Sequence, residues 1–340
     1  MLRPLHYILL LLPALASLGC QKEEPSPLDE TPYELHLPAG FPYPDIPEDN
    51  QLTLARVALG KRLFYDPVLS ADSTVSCASC HRQSLAFADA AAISPGVKGR
   101  LGFRNAPTLA NVAYITLANK DGGVPRLDLQ PLVPIEDENE MALFILDAAR
   151  RLNALPGYQA AFQKAYGQDA TAFTITRALS AFMRTFISGN SPYDRYDRGE
   201  GGLSESAQRG MALFFGNRAQ CGGCHSGFNF TDNDFHNNGL YETYADPGRM
   251  RATFLPEDEG KFRVPTLRNI ALTAPYMHDG SLATLEDVIS HYDNGGSQHP
   301  NKDPRIRPLG LSDAEKADIL AFLQALTDTA FITNPAFLPD

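Results

Sequence analysis

Cys77-Ala78-Ser79-Cys80-His81 and Cys221-Gly222-Gly223-Cys224-His225 decide how this chain folds. Each run is C-x-x-C-H, the attachment pattern of c-type haem. Two thiols at this spacing add to the haem vinyl groups, and the adjacent histidine reaches the iron from the proximal side. A zinc site would need four Cys or His ligands per metal, with a second C-x-x-C or H-x-H nearby. Here the other histidines are scattered. A thioredoxin-like pair would need a βαβ context and would leave the histidine incidental. Structural disulfides suit an exported protein, but a two-residue spacer closes a small, strained loop. The expectation is two covalently bound haems c, on Cys77, Cys80 and His81 and on Cys221, Cys224 and His225.

Working outward, the chain repeats itself. Gly60-Lys61-Arg62-Leu63-Phe64 precedes the first run, and Gly210-Met211-Ala212-Leu213-Phe214 precedes the second. After each comes Pro-Thr-Leu-x-Asn-x-Ala, from Pro107 to Ala113 and from Pro265 to Ala271. Asp121-Gly122 and Asp279-Gly280 then follow at the same offset from the proline. Between these marks the pattern is helical. Phe173, Leu179, Phe182 and Phe186 recur at helical spacing within 171–187, and Gly189 and Pro192 end that helix. Ser312-Asp313-Ala314-Glu315 is a capping box ahead of inward-facing Ile319, Leu320, Leu323 and Leu326. Strand patterns are few. The fold class expected is mainly α, with two tandem cytochrome c-type domains at 51–189 and 190–340.

The 340 residues are 44% hydrophobic and 20% charged, a globular composition with room for two domains. The net charge of −11 argues against a nucleic-acid partner and suits the steering of basic proteins such as small cytochromes c. Arg3 and the apolar run from Ile8 to Leu18, interrupted by Pro13, read as a secretory signal too short to span a bilayer. The run ends Ser17-Leu18-Gly19-Cys20, which resembles a bacterial lipobox with its leucine one place late. An ordinary cleaved signal is the alternative. The expectations are a signal peptide at 1–19, membrane attachment through a lipidated Cys20, and a proline-rich acidic tether and lead-in at 20–50. The protein is then exported, periplasmic or anchored to the outer membrane.

The two haems differ in what else could bind iron. Residues 82–220 contain no histidine. Met141 adjoins an acidic stretch and Met183 reads as a core residue, so an open first iron is expected, free to bind peroxide or O₂. After the second run come Met250, Met277, His236, His278, His291 and Tyr292. Leu285, Val288, Ile289 and Tyr292 fall at i, i+3, i+4 and i+7, which turns Tyr292 inward. Periodicity alone leaves two readings open, a ligand and a core tyrosine with a satisfied hydroxyl.

The run Arg263-Val264-Pro265-Thr266-Leu267-Arg268-Asn269, with Leu272-Thr273-Ala274-Pro275-Tyr276-Met277-His278-Asp279-Gly280, resembles the bacterial di-haem cytochrome c peroxidases and MauG. Supporting stretches include Leu37-Pro38-Ala39-Gly40-Phe41-Pro42 and Gly227-Phe228-Asn229-Phe230-Thr231-Asp232, and the closest likeness is to the MbnH-like branch. The resemblance covers 35–340. It implies Tyr292 as distal ligand of the second haem, where peroxidases of this group carry methionine and MauG-like enzymes tyrosine. It places Val97 where the peroxidases carry a distal histidine on the first haem. It assigns distal-pocket catalysis to Gln130 and Glu140, although Glu140 alone, within the run 136–140, reads as a solvated charge. It implies a calcium ion bound by the Asn105 side chain and the carbonyls of Thr273 and Pro275. It also places Lys120 where the family carries an inter-haem tryptophan; this chain has none. The repeat puts His278 at the equivalent place in the second half.

The function so implied is a peroxide-dependent di-haem oxidoreductase. H₂O₂ is activated at the open first haem and a second oxidising equivalent is held on the second. The reductant is either a small cytochrome c or a side chain of an MbnP-like partner protein. The rival reading is a non-enzymatic di-haem electron carrier.

Overall fold

In the computed structural model, which describes residues 27–339, Gly60 and Gly210 stand where two pairs of helices cross. Gly60 belongs to the helix Leu54–Tyr65 and lies against the helix Ala172–Met183; a Cβ there would come within 1.9 Å of the Ala178 carbonyl oxygen. Gly210, in the helix Glu205–Phe215, has the same 1.9 Å relation to Asp318 in the helix Asp313–Gln324. Any side chain at either glycine would push the paired helices apart. One turn later each repeat buries its phenylalanine: Phe64 and Phe214 are 0% and 2% exposed. The repeated Gly-x-x-x-Phe therefore encodes a close helix crossing with an aromatic anchor beneath it.

Around the two crossings lie two cores. Leu63, Phe64, Phe87, Phe162, Phe182 and Phe186 belong to the first, and Phe214, Phe230, Ile289, Phe322 and Leu326 to the second. The protein is thus mainly helical, with two helical cores in tandem. Among the described residues the strands are Phe235–His236 and Phe262–Arg263, paired antiparallel. The chain's end returns to the first core: Phe331 and Phe337 pack on Phe87, and the Tyr65 hydroxyl donates to the Phe337 carbonyl at 2.6 Å. The lead-in docks too, with the Phe41 ring against Tyr114 and Phe228.

The helix starts follow local chemistry. Thr171, Thr284 and Ser312 each accept from a backbone N–H three residues on, with the reciprocal bond in place. Of the apolar residues spaced along the helix Ala172–Met183, one stays outside the core. Phe173 is 43% exposed, and the Arg177 guanidinium, one turn on, covers its ring at 3.6 Å. At about 100° per residue Phe173 lies on the opposite side of the helix from Phe182, so it faces away from the core while its neighbours Thr174 and Ile175 are buried.

The second repeated motif forms the joint. Asn111 and Asn269 both take left-handed backbone angles, φ 56° and 60°. Asn111 Nδ2 donates to the Ser188 carbonyl at 2.9 Å, and Asn269 Nδ2 donates to Ser188 Oγ at 2.9 Å. Both halves therefore converge on one residue at their junction. The Asp-Gly pairs close matching turns, bridged Ala118 to Val124 and Tyr276 to Leu282. No helix among the described residues is long and apolar enough to cross a membrane. The signal sequence and Cys20 lie outside the described residues.

Candidate active site

Each C-x-x-C-H run fixes its histidine by the same ring-nitrogen bond, though the turns that lead to it differ. Ser76 and Ser79 form a capping box that starts the short helix Cys77–Cys80, and His81 follows as its cap. His81 Nδ1 lies 2.8 Å from the Phe87 carbonyl, and His225 Nδ1 lies 3.1 Å from the Phe230 carbonyl. A carbonyl only accepts, so each Nδ1 carries the proton and each Nε2 keeps its lone pair. Phe87 and Phe230 both adopt positive φ, which turns those carbonyls toward the rings. Burial lowers the proton affinity of both histidines. A neutral imidazole, fixed by a bond from its other nitrogen, is the form that ligates iron. The four thiols are free. These donors fit covalently attached haem.

The second site opens into a cavity of about 350 Å³. Cys221, Cys224 and His225 form part of its wall, and so do Leu285, Val288, Ile289 and Tyr292. The apolar stripe of the helix Leu285–Asn294 thus faces the haem space. Of the six sixth-ligand candidates, Met277, His236, His278 and Tyr292 line this cavity; Met250 and His291 do not. His291 is turned to the Asn238 carbonyl, 3.0 Å from Nε2. Asn238, which sequence reasoning missed, contacts two of these four. Its Nδ2 donates to Tyr292 Oη at 3.5 Å and to Met277 Sδ at 3.3 Å. Burial raises the Tyr292 phenol above its ordinary range, with the Cys221 and Cys224 thiols adding to it.

The first site differs. Met141 and Met183 are 3% and 5% exposed and belong to the core, so neither is available as a ligand. Val97 is 1% exposed, and its N–H donates to the Glu140 carbonyl at 2.8 Å. That bond places Glu140 beside the position the family gives to a distal histidine. Glu140 has an exposed side chain, yet loss of water around its carboxyl, with the Asp137 charge beside it, pushes it up to about 7. The two facts agree if its open side is the haem crevice, and its charge does act on the thiols of both Cys77 and Cys80. Gln130 is half-buried and lines the cavity shared with the second domain. Pro134, as far after Asp121 as Tyr292 is after Asp279 in the repeat, accepts from the Met141 N–H in a helical turn and offers no ligand.

Lys120 lines the same cavity. Its Nζ donates to the Met277 carbonyl at 3.4 Å, and its backbone carbonyl accepts from Arg263 N–H at 2.8 Å. Burial, with the Arg263 and Arg104 charges nearby, brings its ammonium down to about 7. Arg104 links the halves, pairing with Asp121 at 2.6 Å and with Asp246 at 2.6 Å. Asn105, Thr273 and Pro275 share the same cavity wall. Asn105 Nδ2 donates to the carbonyls of Ala91 and Ala92, which turns Oδ1 away from them. Oxygen donors of this kind fit calcium.

Residues 54–202 match the di-haem cytochrome c peroxidase family, and 207–327 match the cytochrome c family. The chain is 39% identical over 303 residues to the methylamine utilization protein MauG of Methylorubrum extorquens, covering 85% of this chain and 83% of that protein. It is 36% identical to the cytochrome c peroxidase Ccp of Escherichia coli, covering 84% of this chain and 61% of that one. Among solved structures, a MauG-like protein associated with microbial copper homeostasis superposes with a TM-score of 0.86 at 37% identity, over 90% of this chain and 99% of that chain. The diheme peroxidase BthA of Burkholderia thailandensis gives 0.74 at 25% identity, over 83% and 88%.

Proposed function

The chain belongs to the family of di-haem cytochrome c peroxidases and MauG and is a peroxide-dependent di-haem oxidoreductase, and we propose that its final electron donor is a side chain on a partner protein. The observation that carries this is the contrast between the sites: Val97 and Glu140 beside the first, Tyr292 held by Asn238 in the second. A small cytochrome c as donor is the second reading, favoured by the net charge of −11. Spectra recorded after mixing haem-loaded protein with equimolar H₂O₂ test the first. If reduced cytochrome c restores both haems within seconds and no protein side chain is modified, the partner reading is wrong. An MbnP-like protein is the partner we favour, because the MauG-like structure associated with copper homeostasis superposes over nearly its whole length.

Bound by Cys77, Cys80 and His81 and by Cys221, Cys224 and His225, haem supplies one-electron redox chemistry and, at the first site, a coordination position for peroxide. The protein's residues do the rest. His81 and His225, fixed through Nδ1 to the Phe87 and Phe230 carbonyls, would offer Nε2 to the haem iron. Glu140 takes a proton from one peroxide oxygen and returns it to the other, while Gln130 donates a hydrogen bond. Tyr292 would supply an oxygen ligand to the second haem, a donor that favours higher oxidation states.

Tyr292→Phe is expected to raise the reduction potential of the second haem and convert it from six-coordinate to five-coordinate. Met277→Leu is expected to leave that haem's spectrum unchanged. Redox titration and electron paramagnetic resonance of the two variants decide; the reverse pattern would make Met277 the ligand.

Calcium held by Asn105 Oδ1 and the carbonyls of Thr273 and Pro275 would tie the two domains together. Elemental analysis should find one calcium per chain, lost in Asn105→Ala. Chelation should lower the thermal midpoint of the parent protein and leave that of the variant unmoved. Export to the periplasm, with a lipid anchor at Cys20, completes the proposal, since c-type haem is attached outside the bacterial cytoplasm.

A further inference from the structure

Phe262 and His278 form a stacked pair on the cavity wall, with ring centroids 4.1 Å apart and 14° from parallel. Behind them stand two tyrosines. The rings of Tyr241 and Tyr244 each lie 6.1 Å from His278 and 5.7 Å from one another. Tyr244 is buried, Tyr241 is half-buried, and Glu242 and Thr243 between them are exposed. The rings therefore run from the cavity to the surface.

Their hydroxyls differ in a way that matters for redox chemistry. Tyr244 Oη accepts from the Leu240 N–H at 3.1 Å and donates to the side-chain oxygen of Asn237 at 3.0 Å. A neutral amide oxygen is a poor proton acceptor. Tyr241 Oη donates to the Asp279 carboxylate at 2.6 Å, within the range of charge-assisted O–H···O⁻ bonds. A phenol that loses an electron becomes strongly acidic, and a carboxylate at hydrogen-bond distance receives the proton at once.

We propose that Tyr241 is the residue through which oxidising equivalents leave the protein toward an electron-rich aromatic side chain of its partner. The proposal rests on the peroxide-dependent di-haem reading above. Tyr241 gives one electron through His278 and Phe262 to the peroxide-oxidised haem pair, and its phenolic proton moves to Asp279. The resulting phenoxyl radical takes one electron from the partner's ring and recovers its proton from Asp279. Two such passages supply the two electrons that, with two protons, reduce H₂O₂ to two waters. Lys120, where the family carries an inter-haem tryptophan, offers no aromatic ring, whereas this route begins on the duplicated turn, at His278.

The test is freeze-quenched electron paramagnetic resonance of the haem-loaded full chain after equimolar H₂O₂, without partner. A tyrosyl radical is expected, its lines narrowed by ring-deuterated tyrosine. Tyr241→Phe should abolish it, Tyr244→Phe should retain it, and Asp279→Asn should slow its formation. Optical spectra taken on the same samples separate the two readings. If the haems respond to peroxide but the radical persists in Tyr241→Phe, or never forms in the parent protein, Tyr241 is not the exit. If the haems do not respond, the peroxide reading falls and this proposal with it.

Discussion

Glu140→Gln is expected to slow peroxide cleavage by ~10²–10⁴-fold, the range typical of a lost general acid–base group. The amide keeps the shape of the side chain and can still donate a hydrogen bond, but it cannot shuttle a proton. The carboxyl suits that task because burial and the Asp137 charge push it up to about 7, where both protonation states are populated near neutral pH. The sign of the pH dependence follows. Accepting the first proton requires the carboxylate, so the rate should rise with pH through about 7 and flatten above it. Asp137→Asn removes a like charge, lowers the Glu140 carboxyl, and should move that rise to lower pH. In Glu140→Gln the rise should vanish. Stopped-flow measurement of peroxide-induced spectral change across pH gives all three curves. A Gln variant within twofold of the parent rate, with a full complement of haem, would sink the assignment. Spectra of the resting variant should match the parent, because Glu140 is not an iron ligand.

The residues that could be read from sequence are those whose role is local or repeated. C-x-x-C-H fixes thiols and imidazole within one turn, so both histidines were legible before any fold was known. Gly60 and Gly210 announced themselves by repetition, although the reason, helix backbones in contact, needed the partner helices. The stripe ending at Tyr292 was legible because Leu285, Val288, Ile289 and Tyr292 share one helical face, and all four line the cavity. Periodicity could not say whether that face met haem or ordinary core. Asn238 was invisible: it precedes a glycine in a loop, and its contacts with Met277 and Tyr292 span 39 and 54 residues. The Phe262–His278 stack was hidden for the same reason, since it joins a two-residue strand to a distant turn. Glu140 was not legible from composition: its side chain is exposed, as an acidic run suggests, and what sets it apart is a raised carboxyl and the bond from the Val97 N–H to its backbone carbonyl.

Asp128→Ala is expected to destabilise the first domain by roughly 3–5 kcal/mol, the cost of stripping a buried charge of its partner. Asp128 is 1% exposed, and it accepts from Arg184 Nη1 at 3.0 Å, from Ser180 Oγ at 2.8 Å and from Asn50 Nδ2 at 2.8 Å. The Arg184 side chain is itself only 4% exposed, so the variant strands a guanidinium out of water. Burial by itself would raise the Asp128 carboxyl, but the Arg184 hydrogen bonds and charge, with Ser180 and Asn50, hold it down to about 2 against an ordinary 3.8. A depressed carboxyl stabilises the fold above its unfolded value and loses that contribution as pH falls through its folded value. About 2 kcal/mol of the difference between parent and variant should therefore be present above pH 4 and disappear as pH approaches 2. Urea titrations followed at the first haem's absorption, repeated at several pH values, measure it. The consequence reaches the active site, because Asp128 sits two residues before Gln130 and ties that loop to Asn50 of the lead-in and to the helix Ala172–Met183. Loosening the cluster should lower the peroxide rate while leaving the Glu140-dependent pH rise where it was. A variant that shifted that rise instead would show that Asp128 acts on Glu140 through charge rather than on Gln130 through position.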